Sequence, residues 1–242
     1  MSDPVRIALV AEGPTDKIVI GAAIRNILGE TPFILQQLQP EESLAFVSAE
    51  NGTGWGGVYR WCRKAARPEG IAQTDILFAT YRALVLHLDA EVAAESYANA
   101  GIVQDIDDLP CAEPCPPAAS TTGRLRNVML RWLGQRAALP RIVLCTPSKS
   151  TETWVLCALY PADRDVVAGR HECLANPHHR LQSKPHKGRL VTGNKKQLNV
   201  YKLRYEEISA AWPTVRSICI EAERFSSDLE QALIAAGGAH PN

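Results

Sequence analysis

Residues 7–24 read IALVAEGPTDKIVIGAAI, and their reading decides the fold. Residues 5–11 (VRIALVA) are apolar except for Arg6. A short run of this kind suits a strand buried on both faces, as in a parallel sheet. The run stops abruptly at Glu12-Gly13-Pro14-Thr15-Asp16. Beyond it Ile18, Val19, Ala22, Ala23 and Ile27 recur at helical spacing, with Thr15 placed to cap the helix. A buried strand that leaves the core through two carboxylates needs a reason from the rest of the chain.

Working outward, the same grammar returns. RALVLHLDAE (82–91) reads as a second buried strand, again ending in acid, and RIVLCTP (141–147) as a third. Residues 33–39 and 44–48 read as extended. A Gly-rich turn, NGTGWGG, precedes a helix over VYRWCRKAAR (58–67). In TTGRLRNVMLRWLG (121–134) the side chains of Leu125, Val128, Met129, Trp132 and Leu133 share one helical face. STETWVLCALY (150–160) is a helix opened by a Ser/Thr cluster. Strands alternating with helices give an α/β fold with a mostly parallel sheet flanked by helices, Rossmann-like in class. The Pro-rich DDLPCAEPCPPAAST (107–121) reads as a loop over the sheet. Residues 161–205 are polar and weakly periodic. The division expected is an α/β domain over 1–160 and a basic C-terminal extension over 161–242 packing on the same domain.

Bulk composition narrows the partners little. The 242 residues carry 26 Lys plus Arg and 26 Asp plus Glu, so only local clustering of charge can point to a partner. No apolar stretch approaches the roughly 20 residues that span a bilayer. Met1-Ser2-Asp3-Pro4 lacks the basic and apolar segments of a signal peptide, so a cytoplasmic protein is expected. The seven cysteines lie mostly in apolar patterns, as reduced core thiols do.

In a parallel sheet all strands end on one side, and ligands bind in the crevice there. Glu12 follows the first strand; Asp89 and Glu91 end a later one. If those strands are neighbours, the three carboxylates converge and repel one another unless a cation sits among them. Oxygen donors of this kind suit Mg²⁺ or Mn²⁺. Alternation along Asp89-Ala90-Glu91 puts both acids on one side if the strand continues that far. Read singly, Glu12 is a solvated turn residue, and Asp16 and Glu152 are acids that complement a helix N-terminus.

VAEGPTD followed by LHLDAE resembles the Toprim domain of topoisomerases, primases, recombination mediators and OLD-type nucleases. The family pattern is a Glu after the first strand, often E-G-x-[ST]-[DE], and an Asp-x-Asp after a later one. Glu12, Gly13, Thr15 and Asp16 fit the first part; Glu91 stands where the family has its second Asp. SKSTETWVLCAL also resembles the E-x-W helix of small uncharacterised Toprim-like bacterial proteins, which implies Glu152 beside the others. The resemblance covers residues 5–160. It implies a Mg²⁺- or Mn²⁺-dependent nuclease with Glu12, Asp89 and Glu91 as catalytic acids and Asp16 and Glu152 as further metal ligands. It also implies a role in defence against phage or mobile DNA, in company with a partner ATPase.

A phosphate-cutting enzyme needs a cationic track. Residues 176–205 contain no Asp or Glu and carry Lys184, Lys187, Arg189, Lys195 and Lys196 among their cations. Their composition suits contact with DNA or RNA; the plainer reading is a solvated basic loop. Tyr201 and Tyr205 are candidates for base stacking. Gly52, Gly54 and Gly57 match G-x-G-x-x-G, but the match does not follow the first strand and has no acid at the right distance, so it reads as a turn. Cys111 and Cys115 could join His171, Cys173, His178 and His179 around zinc, in a spacing that fits no standard finger. No nucleophile elbow and no P-loop is present. The expectation is a metal-dependent nuclease; the alternative is a non-catalytic nucleic-acid-binding module.

Overall fold

The structure, a computed structural model of the chain, describes residues 3–40, 51–66, 77–103, 107–137, 139–185, 189–193 and 195–237. The extended segment expected at 44–48 and Lys187 lie outside them. The elements run β1 (Val5–Val10), α1 (Pro14–Leu28), β2 (Phe33–Gln39), α2 (Gly54–Ala65), β3 (Ala83–His87), α3 (Ala118–Trp132), β4 (Ile142–Cys145) and α4 (Thr151–Leu159). Then follow α5 (Arg164–Val167), α6 (Pro177–Gln182), β5 (Val191–Thr192), β6 (Lys195–Lys196), α7 (Leu198–Leu203), α8 (Tyr205–Ile218) and α9 (Ile220–Gly237).

Four strands form one all-parallel sheet in the order β2-β1-β3-β4. Its alternation explains the continuous apolar runs. Ile7, Leu9, Ala83, Val85, Val143 and Cys145 pack in one core with residues of α1, α4, α8 and α9. Ala8, Val10, Leu84, Leu86, Ile142 and Leu144 pack in another with α2 and α3. Both faces are covered, as parallel sheets require. After β1 the chain moves outward to β2 and then returns past β1 to β3. The strand order therefore reverses between β1 and β3, which makes their carboxyl ends a topological switch point.

Three local features differ from the sequence reading. The α1 N-cap is Gly13, not Thr15; the Asp16 carboxylate accepts the Gly13 amide at 3.0 Å and does the capping work. β3 ends at His87, and Ala90–Ala94 is a 3-10 helix, so strand alternation does not set Glu91. The backbone still bonds to the end of β4 through the Leu88 amide and to the segment after it through the Ala90 and Glu91 amides. Finally, two long helices, α8 and α9, occupy residues 205–218 and 220–237 of the expected basic extension. Ile208, Trp212 and Val215 of α8 and Phe225 and Leu229 of α9 are buried, and Trp154 meets Trp212 edge-on at 5.2 Å. Pro213 lies inside α8 and masks its pattern by mimicking a helix end. No described helix is long and apolar enough to cross a membrane.

Candidate metal centre

The adjacency that the acid pair requires is present: Ile7 through Val10 pair in register with Ala83 through Leu86. Glu12 and Asp89 thus leave the sheet side by side, and the Glu12 Oε1 accepts the Asp89 backbone amide at 2.8 Å. The Asp89 Oδ1 accepts the Thr151 amide at 3.0 Å, at the start of α4. Each of these two acids is thereby held through one oxygen by a main-chain donor. Asp16 is more fully engaged. One oxygen takes the Gly13 amide and the other the Thr151 hydroxyl at 2.8 Å. Asp16 therefore braces the turn after β1 against the start of α4.

His87 joins this cluster without having been singled out from sequence. It is fully buried as the last residue of β3, two positions before Asp89, and its Nε2 lies 3.1 Å from Asp89 Oδ1. One ligand atom from each of Glu12, His87 and Asp89 falls within 4.8 Å of the others. The His87 Nδ1 is buried with no hydrogen-bond partner. The signal was a lone polar residue in an otherwise apolar strand, in step with Asp89 at period two.

Glu152 and the basic region close the opposite side. Glu152 is buried at the first turn of α4, and its Oε1 receives the Tyr201 hydroxyl at 2.9 Å and the Lys196 ammonium at 2.8 Å. Lys196 also stands 4.0 Å from Asp16. Glu91 sits at the rim, exposed to water along the 3-10 turn.

The electrostatics report crowding. Burial, then the charge of Asp89, pushes the Glu12 carboxyl well above the ordinary range. Burial also raises Asp16, in spite of the attraction of His87. Glu91 is pushed up to about 7 by partial burial and the charges of Asp89 and Glu152. Burial opposes charge on His87, yet Asp16, Asp89 and Glu12 outweigh it and raise the ring to about 9. Five carboxyl groups thus crowd around two basic side chains, His87 and Lys196.

Among the described residues of the basic stretch, several cations are engaged within the protein. Lys184 is ion-paired to Asp163 and lies 4.9 Å over the Tyr160 ring. Arg189 donates to the Lys184 carbonyl at 3.1 Å. Lys196 faces the acids, and Lys195 is exposed on the β5–β6 hairpin. Tyr201 is buried against Glu152 and so is not placed to stack on a base, while the hydroxyl of the half-buried Tyr205 donates to the Gly21 carbonyl. The zinc set left open by the sequence is not assembled, because Cys115 and Cys173 are joined to each other. Cys115 and Cys173 form a disulfide with Cα atoms 5.6 Å apart, while Cys111 is free. The Gly-rich turn serves packing, with the Gly54 amide bonded to the Glu12 carbonyl at 3.1 Å.

Comparison of the chain with protein-family models, with curated proteins and with solved structures finds no match.

Proposed function

We propose that this chain is a divalent-cation-dependent phosphodiester hydrolase of Toprim type acting on nucleic acid. The observation that carries the reading is the meeting of Glu12 and Asp89 at the switch point of the sheet, each anchored through one oxygen by a backbone amide. The donor set fits Mg²⁺ or Mn²⁺: carboxyl groups that outnumber the basic side chains, in a site whose protons are held first by burial and then by mutual repulsion. Glu12 and Asp89 would hold the ion, with Glu91 reaching in from the rim. When bound, such a cation polarises a phosphoryl oxygen and stabilises the charge that develops on it.

The protein's own groups have separable roles. Glu12, by the resemblance the carboxyl group not fully committed to the ion, suits proton transfer at the phosphate. Asp16 and Thr151 fix the geometry of the two strand exits. Lys196, partly open to water, offers positive charge beside the acids. DNA or RNA is the substrate class, with a partner ATPase and a defence role following from the resemblance.

Cleavage of single- and double-stranded DNA and of RNA with Mn²⁺ tests this. Wild type is expected to cut, and Glu12→Ala and Asp89→Ala to lose at least a hundredfold, as loss of about 2.7 kcal/mol of transition-state stabilisation would give. Cutting that survives both changes would sink the reading. A second reading, a non-catalytic nucleic-acid-binding module, is favoured by the internal pairing of Glu152 with Lys196 and Tyr201. It predicts binding without cleavage, and no thermal response to Mg²⁺ or Mn²⁺.

A further inference from the structure

A second cluster of ligand-bearing side chains lies in the core, independent of the acidic one. Cys157, His171 and Cys219 are 1%, 4% and 0% exposed. They come from three separate pieces of chain: α4, the 3-10 turn His171–Cys173, and the extended break between α8 and α9. The two sulfurs stand 3.6 Å apart, and a ring nitrogen of His171 lies with them inside 4.8 Å.

The histidine shows which nitrogen is on offer. Its Nε2 lies 3.0 Å from the Ile218 carbonyl oxygen. A carbonyl only accepts, so Nε2 carries the proton and Nδ1 presents a lone pair. That Nδ1 is buried and has no hydrogen-bond partner. An unsatisfied buried acceptor costs about 1–3 kcal/mol, a cost that a ligand at this nitrogen would remove. Donation of the other ring N–H to a main-chain carbonyl is also how metal-binding histidines are oriented.

We infer that Cys157, Cys219 and His171 form a buried zinc site that pins the α8–α9 junction to α4. Two thiolates and an imidazole are soft donors that select zinc over the hard cations suited to the carboxylate cluster. Two Zn–S bonds of about 2.3 Å at a tetrahedral angle span about 3.8 Å, close to the separation already present. Binding releases the two thiol protons to water, so uptake is coupled to pH and to folding. The consequence reaches the acidic site through α4, which carries Glu152 in its first turn and Cys157 further along.

The test uses the full chain, purified under reducing conditions from zinc-supplemented medium. Elemental analysis is expected to find one zinc per chain that survives gel filtration in chelator. Cobalt added to the stripped protein is expected to give the thiolate-to-cobalt charge-transfer band. The band should vanish in Cys157→Ser and Cys219→Ser and persist in the Glu12→Ala/Asp89→Ala double variant, which separates this site from the proposed hydrolase. The wild-type cobalt spectrum needs no variant to fold. Absence of both zinc and the cobalt band would overturn the inference. So would a Cys157–Cys219 disulfide, found by mapping alkylated peptides of protein prepared in parallel without reductant.

Discussion

Asp163 shows what a single buried carboxylate can decide. It caps α5 by accepting the Asp165 amide at 2.9 Å, and it pairs with Lys184 and with Arg180 at 2.9 Å. Burial would raise its carboxyl; Lys184, the Asp165 amide and Arg180 outweigh burial and hold it at about 2. A folded value below the ordinary 3.8 means stabilisation that is present above that pH and lost as pH falls through about 2. Asp163→Asn is expected to flatten that acid limb and to cost about 1–3 kcal/mol at neutral pH, because Lys184 and Arg180 lose a partner in half-buried surroundings. Urea unfolding of both proteins between pH 2 and pH 7, at roughly unit steps, checks it; identical acid limbs would refute the assignment. The same residues mark the limit of reading cations from composition. Lys184 looked like a phosphate ligand because its neighbours in sequence carry no acid. Asp163 lies 21 positions away in the chain and becomes its partner only when α5 and α6 pack.

At the scale of elements, strands were more legible than anything built on them. β1, β3 and β4 announce themselves because each is buried on both faces, leaving a continuous apolar run. The helices α8 and α9 did not, because Pro213 and the break at Cys219 cut their pattern into short pieces. The Gly-rich turn was legible as a turn but not in its purpose. A Cβ on Gly57 would stand 2.5 Å from Gln39 Nε2 and 2.8 Å from the Gly52 carbonyl oxygen. Gln39 itself donates to that carbonyl at 2.6 Å, so the end of β2 is packed directly on the start of α2. Gly57→Ala therefore has to displace backbone. It is expected to cost about 1–3 kcal/mol by overpacking, measured by chemical denaturation. A neutral result would show that α2 can slide away from β2. The glycines thus set how closely a helix approaches the exit of the sheet, and nothing in that geometry calls for a nucleotide.

At the scale of the whole molecule, the acids at the end of β1 make sense only through topology. Sequence placed Glu12 and Asp89 at strand ends, but their meeting depends on the strand order, which no local pattern encodes. The return of the chain past β1 to β3 brings them together, and α1 and α4 add Asp16 and Glu152 from the same side. The result is a concentration of like charge that folding has to hold together. A cation bound by the native state alone offsets that repulsion, and the stabilisation grows as RT ln(1 + [L]/Kd), about 2.7 kcal/mol at a hundredfold excess over Kd. Thermal unfolding in chelator and in Mn²⁺ is expected to differ accordingly, with a Tm rise of several degrees in Mn²⁺. Asp89→Asn keeps the shape but removes a charged ligand, so it should raise the chelator Tm by relieving repulsion and abolish most of the Mn²⁺ increment. The two effects have opposite signs, which separates a metal centre from a purely structural cluster. If Asp89→Asn lowered stability in chelator and left the Mn²⁺ response intact, Asp89 would be a structural acid held by Thr151 and His87, and the cation would have to bind elsewhere.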